Sequence, residues 1–163
     1  MIGMLARLRI ASCGPEWADE LHRLTREAFA PYETLDPPSG ALRESASVVA
    51  DDLREGGGAI AELDGRPVAC LRWLIDARGD FYVKRLAVEP TLQRHGLGHA
   101  LMDWAEAEAV RRGCDAVSVG VRLALAGNIA FYRRLGYEPG AMERHDGYEH
   151  DTAMEMRKLV RRP

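Results

Sequence analysis

The chain has 163 residues, enough for one ordinary domain with its own core. Its 47% hydrophobic and 29% charged residues are those of a globular protein, and its formal net charge of −3 gives no support to a nucleic-acid backbone as partner. Cys13, Cys70 and Cys114 lie far apart without metal-ligand spacing, so reduced thiols in a cytoplasmic setting are expected, with no metal.

No apolar run approaches the roughly 18 residues of a membrane span. Arg7 and Arg9 interrupt the apolar N-terminus as a signal-peptide core, so no membrane partner is expected. "MLARLRIA" alternates, with Met4, Ala6, Leu8 and Ile10 on one face, and predicts a strand. Pro15 suits a helix first turn, and Trp17, Leu21, Leu24 and Ala28 follow at helical spacing. Three prolines and a glycine make residues 30–42 a loop, before a short helix from about Ser45 to Arg54. "GAIAELDGRPVACLRWLI" is two apolar runs around Asp64-Gly65, a hairpin signal.

"FYVKRLAV" (81–88) predicts a central strand, apolar on both faces apart from Lys84 and Arg85. A helix starts at Leu97, carries Ala100, Leu101, Trp104 and Ala105 on one face, and stops at Arg111-Arg112-Gly113. "CDAVSVGV" is a strand, and "LALAGNIAFYRRLG" a shorter helix ending at Gly136. "YEHDTAMEM" alternates and places Tyr148, His150, Thr152, Met154 and Met156 on one face of a last strand. One more strand is allowed around Tyr137–Met142. The whole, 1–163, reads as a single α/β domain with a hairpin-built front half and a central βαβ unit.

In that βαβ unit, residues 93–98 lie between a strand and a helix N-terminus. Backbone N–H groups there lack partners and the helix dipole is positive, so the turn can hold an anion. Gly96 and Gly98 remove side chains that would keep a phosphate away, and Arg94 and His95 could add cationic donors beside them. "GLGHAL" lacks the GK[ST] of a P-loop, and Leu101 stands where a dinucleotide fingerprint needs a third glycine. A glycine turn without ligand is the plain alternative.

"LAVEPTLQRHGLGHALMDWAEAEAVRRG" resembles the acyl-CoA-binding segment of the GNAT superfamily of N-acetyltransferases, whose pattern Gln/Arg-x-x-Gly-x-Gly/Ala is met by Gln93, Gly96 and Gly98. "GNIAFYRRLGY" resembles the family's second signature, a helix tyrosine followed by x-x-Leu-Gly-Phe/Tyr. The resemblance implies a mixed, mostly antiparallel sheet with central, parallel, splayed strands, flanked by about four helices. It implies acetyl-CoA as co-substrate, with the main chain of Leu86, Ala87 and Val88 pairing with the pantetheine arm. The turn of Gln93, Arg94, His95, Gly96, Leu97, Gly98 and His99 would hold the pyrophosphate. Tyr132 would contact the cofactor and protonate the leaving thiolate; packing alone is its other reading. Many members carry Asn seven residues before the tyrosine, where this chain has Leu125. Asn128 is therefore a shifted candidate for the pantetheine, or a helix cap.

The implied reaction is direct acetyl transfer to a primary amine in a ternary complex, helped by proximity and by a strand N–H near Leu86 or Val88 facing the oxyanion. A tyrosine phenol, with a pKa of about 10 in model peptides, is protonated at neutral pH and suits the acid role. The base is not legible. Tyr82 stands where the histone-modifying branch carries a glutamate. His150 is a base or water-holder, or a core histidine; Asp80, Glu33 and Glu44 are weaker candidates, and water is a further one. Lys84 and Arg85 either meet an acidic group of a ligand or sit at a bulge and reach solvent. Tyr32 and Glu33, with the rest of loop 30–44, are candidate acceptor contacts. A small-molecule or free-amine acceptor is expected, and a homodimer is allowed. A catalytically inactive acyl-CoA-binding regulatory domain is the alternative function.

Overall fold

A computed structural model describes residues 2–161. In chain order they form α1 (Ile2–Leu5), β1 (Leu8–Cys13), a 3-10 turn (Pro15–Trp17), α2 (Ala18–Phe29), α3 (Ala46–Glu55), β2 (Gly57–Leu63), β3 (Arg66–Ile75), β4 (Phe81–Val88), α4 (Leu97–Arg111), β5 (Ala116–Arg122), α5 (Ala126–Arg134), β6 (Glu138–Glu143) and β7 (Ala153–Leu159). Local chemistry explains most of the boundaries. Asp64 and Gly65 take φ of 52° and 80°, the left-handed pair that a two-residue hairpin between β2 and β3 requires. The Ser45 hydroxyl accepts from the Val48 N–H at 3.3 Å and caps α3. At the end of α4, Gly113 is left-handed, its N–H donates to Val110 and the Cys114 N–H donates to Ala109, which is the Schellman closure.

Backbone hydrogen bonds order the strands β1-β2-β3-β4-β5-β7-β6. The β1–β2, β2–β3, β5–β7 and β6–β7 pairs are antiparallel, and β4–β5 is parallel. The β4–β5 register covers Phe81↔Val117, Tyr82↔Ser118 and Val83↔Val119 and no further residue of β4 among those described. The fold is thus α/β with a mostly antiparallel seven-stranded sheet and a parallel pair. The strand allowed around Tyr137–Met142 is present as β6.

The described residues gather into two compact units. One comprises the residues up to Leu74 with Lys84–Trp104. Its core packs Leu21 and Leu24 of α2 and Val49 and Leu53 of α3 on Ile60, Cys70 and Ala87 of the strands. The other comprises Ile75–Val83 with the residues from Ala105 onward. There the buried side chains of β5 (Val117, Val119, Val121) and β7 (Met154, Met156) accompany Phe81, Val83, Ala105, Ala109 and Tyr137. All three cysteines are free and buried; burial, then neighbouring Cys70 and Glu16, raise the Cys13 thiol to about 12.

Two expected strands are shorter than their alternation suggested. Residues 4–7 are not strand: the Arg7 N–H donates to the Met4 carbonyl at 3.1 Å, and the ladder opens only at Leu8↔Leu63. The reason is geometric. The partner strand ends at Leu63 in the Asp64-Gly65 turn, which Arg7 meets with an ion pair. The last strand begins at Ala153, so Tyr148 and His150 lie outside it. Left-handed Gly147 and a Tyr148 N–H bond to the His145 carbonyl turn the chain there. The helices number five among the described residues, α1 being one turn beyond the four expected.

Candidate active site

β4 leads into the glycine turn through a braced corner. The Glu89 N–H donates to the Val68 carbonyl at 2.9 Å, and the Gln93 side-chain amide donates to the Val88 carbonyl at 3.1 Å. The backbone is then left-handed at Arg94 (φ 65°) and Gly96 (φ 88°). Ala100 is the residue whose N–H reaches the Gly96 carbonyl, at 3.0 Å. The N–H groups of Leu97, Gly98 and His99 precede that bond and have no acceptor within the helix. A Cβ on Gly96 would find only the Leu5 side chain, at 3.6 Å, an ordinary contact. Glycine is required there by the backbone angle, not by lack of room.

The side chains of the turn divide between structure and solvent. Leu97 is 1% exposed and belongs to the core, so only its main chain can serve a ligand; the same holds for Ala87. The His95 Nδ1 carries a proton to the Gln93 carbonyl at 2.9 Å, and His99 lies 3.5 Å from Asp103 one turn on. Arg94 and Gln93 are exposed. The first-turn amides of α4, the left-handed backbone before them and the positive end of a fifteen-residue helix fit a phosphate-bearing cofactor such as acetyl-CoA.

Leu86 and Val88 are half-buried and flank buried Ala87 in the stretch of β4 beyond its β5 register. Lys84 and Arg85 stand just before them and do not run out to solvent. Arg85 Nε and Nη2 both donate to Glu44 Oε1, at 2.9 and 2.7 Å. Arg72 of β3, 1% exposed, donates through Nη2 to Glu44 Oε2 and through Nη1 to Asp52, each at 2.8 Å. Lys84 completes the group at 3.0 Å from Asp52. Burial pushes the Glu44 carboxyl up, but Arg85 and then Arg72 outweigh it and hold it below its ordinary value.

α5 ends in a second Schellman closure. Gly136 is left-handed (φ 93°), its N–H donates to Arg133 and the Tyr137 N–H donates to the Tyr132 carbonyl, both at 3.0 Å. The Tyr132 ring packs edge-on to Phe131 and Tyr137, with centroids 5.0 and 5.7 Å away. Buried Tyr137 is held in turn by a 3.4 Å bond from its hydroxyl to Glu106 and by the Lys158 ammonium 5.8 Å above its ring. Asn128 does not cap the helix: the cap position is Leu125, which offers no side-chain acceptor, and Asn128 is half-buried in the first turn.

The remaining candidates are scattered. Tyr32 sits in a 3-10 turn, Ala30–Thr34, edge-on to Phe29 at 5.4 Å; Glu33 beside it is exposed. Tyr82 is half-buried, its hydroxyl 2.9 Å from where a Cβ on Gly120 would stand, so glycine there makes room for the phenol. His150 is exposed, 5.8 Å from the Tyr148 ring, and is no core histidine. Asp80 accepts two bonds from Arg157 (2.7 and 2.9 Å) and meets Arg78 at 3.0 Å; Arg157 above all holds its carboxyl below the ordinary value. Asp80 and Glu44 are therefore committed to guanidinium groups and make poor bases. Arg72 went unread in the sequence, although a lone charge inside the apolar run "VACLRWLI" marks a buried partner.

The sequence model of the acetyltransferase (GNAT) family matches residues 17–137. The chain belongs to the GNAT acetyltransferase family. Over 90 residues, 52% of the chain, it is 34% identical to an uncharacterized N-acetyltransferase of Methanocaldococcus jannaschii. Over 60 residues, 37% of the chain, it is 37% identical to the [ribosomal protein bS18]-alanine N-acetyltransferase of Escherichia coli. The match spans about two fifths of each curated relative, 40% in both cases. The crystal structure of the Escherichia coli ribosomal-protein-S18-alanine N-acetyltransferase shares the fold at a TM-score of 0.77 and 21% identity, covering 96% of each chain. A PaiA N-acetyltransferase of Thermoplasma acidophilum, solved in complex with coenzyme A, does so at 0.75 and 18%, covering 93% of this chain and 98% of its own. These GNAT structures match strands and helices across nearly the whole chain. No described helix is long and apolar enough to cross a membrane.

Proposed function

We propose that residues 1–163 form one acetyl-CoA-dependent N-acetyltransferase domain that moves an acetyl group to a primary amine by direct transfer in a ternary complex. The observation that carries the reading is the glycine turn: left-handed Arg94 and Gly96 lead into the first-turn amides of α4, within the segment that the GNAT family model matches. When bound, acetyl-CoA supplies an activated acyl group. The amides of residues 94–99 hold its pyrophosphate, and the main chain of Leu86–Val88 pairs with the pantetheine arm. A strand N–H there faces the thioester oxygen as negative charge develops on it. Tyr132 gives a proton to the departing sulfur, and Asn128, one turn earlier on α5, contacts the pantetheine.

Asp80 and Glu44 are tied to arginines, which leaves water or exposed His150 to take the amine proton in this reading. The acceptor is a small molecule or a free amino group. The alanine acceptor named for the Escherichia coli relative belongs to the second kind. Tyr32, Glu33, Tyr82 and His150 are the candidate acceptor contacts. Three free cysteines suit a cytoplasmic setting.

Thermal denaturation with acetyl-CoA or ATP tests the cofactor assignment. Acetyl-CoA at a hundredfold its Kd should add about 2.7 kcal/mol of stability, with ATP far less effective. Equal shifts from both, or none from acetyl-CoA, would refute it.

A further inference from the structure

We propose that Glu44 is a positioning residue for acyl transfer: through Arg85 it holds the left-handed turn in β4 from which the Leu86–Val88 main chain departs. This rests on the proposed role of that main chain in holding acetyl-CoA.

In a regular strand, consecutive side chains point to opposite faces. Lys84 and Arg85 break that rule, for both reach acids joined by the same arginine, Arg72. The break is possible because Arg85 has φ 56°, a left-handed angle that a residue with a side chain keeps only when its surroundings impose it. Those surroundings are specific. One oxygen of Glu44 takes both bonds of Arg85, and the other takes Arg72. Asp52, on the far side of Arg72, takes Lys84, so both residues at the turn are anchored to one buried guanidinium. Glu44 is itself fixed by a contact of 2.9 Å between its carbonyl and His22 Nε2. The chain passes close at Gly40, where a Cβ would stand 3.2 Å from Arg85 Nη2, so glycine leaves the guanidinium its seat.

The turn follows immediately on Val83, the last residue of β4 in register with β5. That ladder therefore does not set the path of Leu86–Val88; β3 borders β4 on the other side, and the left-handed angle at Arg85 sets where these residues leave the β5 register. All three cations of the group already face carboxylates, so the arrangement serves the backbone rather than a substrate anion.

The test compares Arg85→Ala, Arg85→Gly and Glu44→Gln in the full chain. Two readouts are used: amide hydrogen exchange over residues 84–88 without ligand, and acetyl-CoA thiol release with the best amine of a panel. Glycine adopts the left-handed angle unaided, whereas alanine does not. Arg85→Ala and Glu44→Gln should speed exchange across 84–88 while α4 stays protected. They should lower kcat by on the order of 10²-fold, the scale of a misplacement of about 1 Å, and raise the KM for acetyl-CoA, with the acceptor KM nearly unchanged. Arg85→Gly should recover most of that kcat. Unaltered exchange and kcat in Arg85→Ala would overturn the proposal. Equal losses in the alanine and glycine variants, with a raised acceptor KM, would also overturn it and make the guanidinium an acceptor contact. A wild-type chain that acetylates no amine would sink the enzymatic reading, while the exchange comparison would still decide the brace.

Discussion

The main-chain N–H of Tyr137 donates to the carbonyl of Tyr132 at 3.0 Å, and the two rings meet edge to face with centroids 5.7 Å apart. The tyrosine proposed as acid is thus the residue whose carbonyl closes the Schellman turn, and Leu135-Gly136-Tyr137 is the closure. The family signature is in this chain one structural device. Gly136→Ala tests it. The added Cβ would meet Lys158 Cε at 3.4 Å, an ordinary contact, so the cost comes from the φ of 93°. Thermal denaturation should show a loss of about 1–2 kcal/mol. A loss near zero would mean that the turn relaxes freely and does not fix Tyr132.

Tyr132→Phe keeps the ring contacts with Phe131 and Tyr137 and removes the hydroxyl. Acetyl-CoA affinity by calorimetry should stay close to wild type, while kcat falls by on the order of 10²-fold, the low end for a positioned acid. Wild-type kcat in that variant, with product release shown not to limit, would leave Tyr132 a packing residue.

Gly98→Val bears on the cofactor turn. Gly98 lies inside α4, where valine is a better helix residue than glycine, so the fold should survive with little change in melting temperature. The branched side chain would stand among the amides assigned to the pyrophosphate, and acetyl-CoA binding should weaken strongly. Unchanged affinity in the folded variant would remove the anion-site argument.

Much of this architecture is legible in the residues because its signals are local. Asp64-Gly65 specifies its hairpin, Ser45 its cap, and Gly113 and Gly136 their helix ends. Alternation misled where a turn interrupts it without changing the polarity pattern. Tyr148 and His150 share the period of Met154 and Met156, yet Gly147 places them before the strand. Met4 and Ala6 alternate with Leu8, yet the partner strand ends at Leu63. The group around Arg72 was out of reach for another reason. Its members come from α3, the loop before it, β3 and β4, and only the fold brings Glu44 to Arg85, 41 positions away.

Asp80 ties the residues before β4 to Arg157 of β7, and its side chain is 4% exposed. Its folded-state pKa is lowered, chiefly by the Arg157 hydrogen bonds. The stabilisation is therefore complete above the ordinary aspartate range and is lost as pH falls from there through the depressed folded value. Asp80→Asn should cost about 2 kcal/mol at neutral pH, the scale of a hydrogen bond to a charged group. The gap from wild type should close in acid. A gap independent of pH would assign the loss to packing.

Acetyl transfer itself is the most direct measurement. The chain is incubated with acetyl-CoA and a panel of polyamines, amino acids, aminoglycosides and short peptides, and acetylated products are read by mass spectrometry beside free CoA. The account predicts at least one amine acetylated in step with CoA release, and far less product from Tyr132→Phe. Tight acetyl-CoA binding with no amine acetylated would contradict it and leave an acyl-CoA-binding regulatory domain.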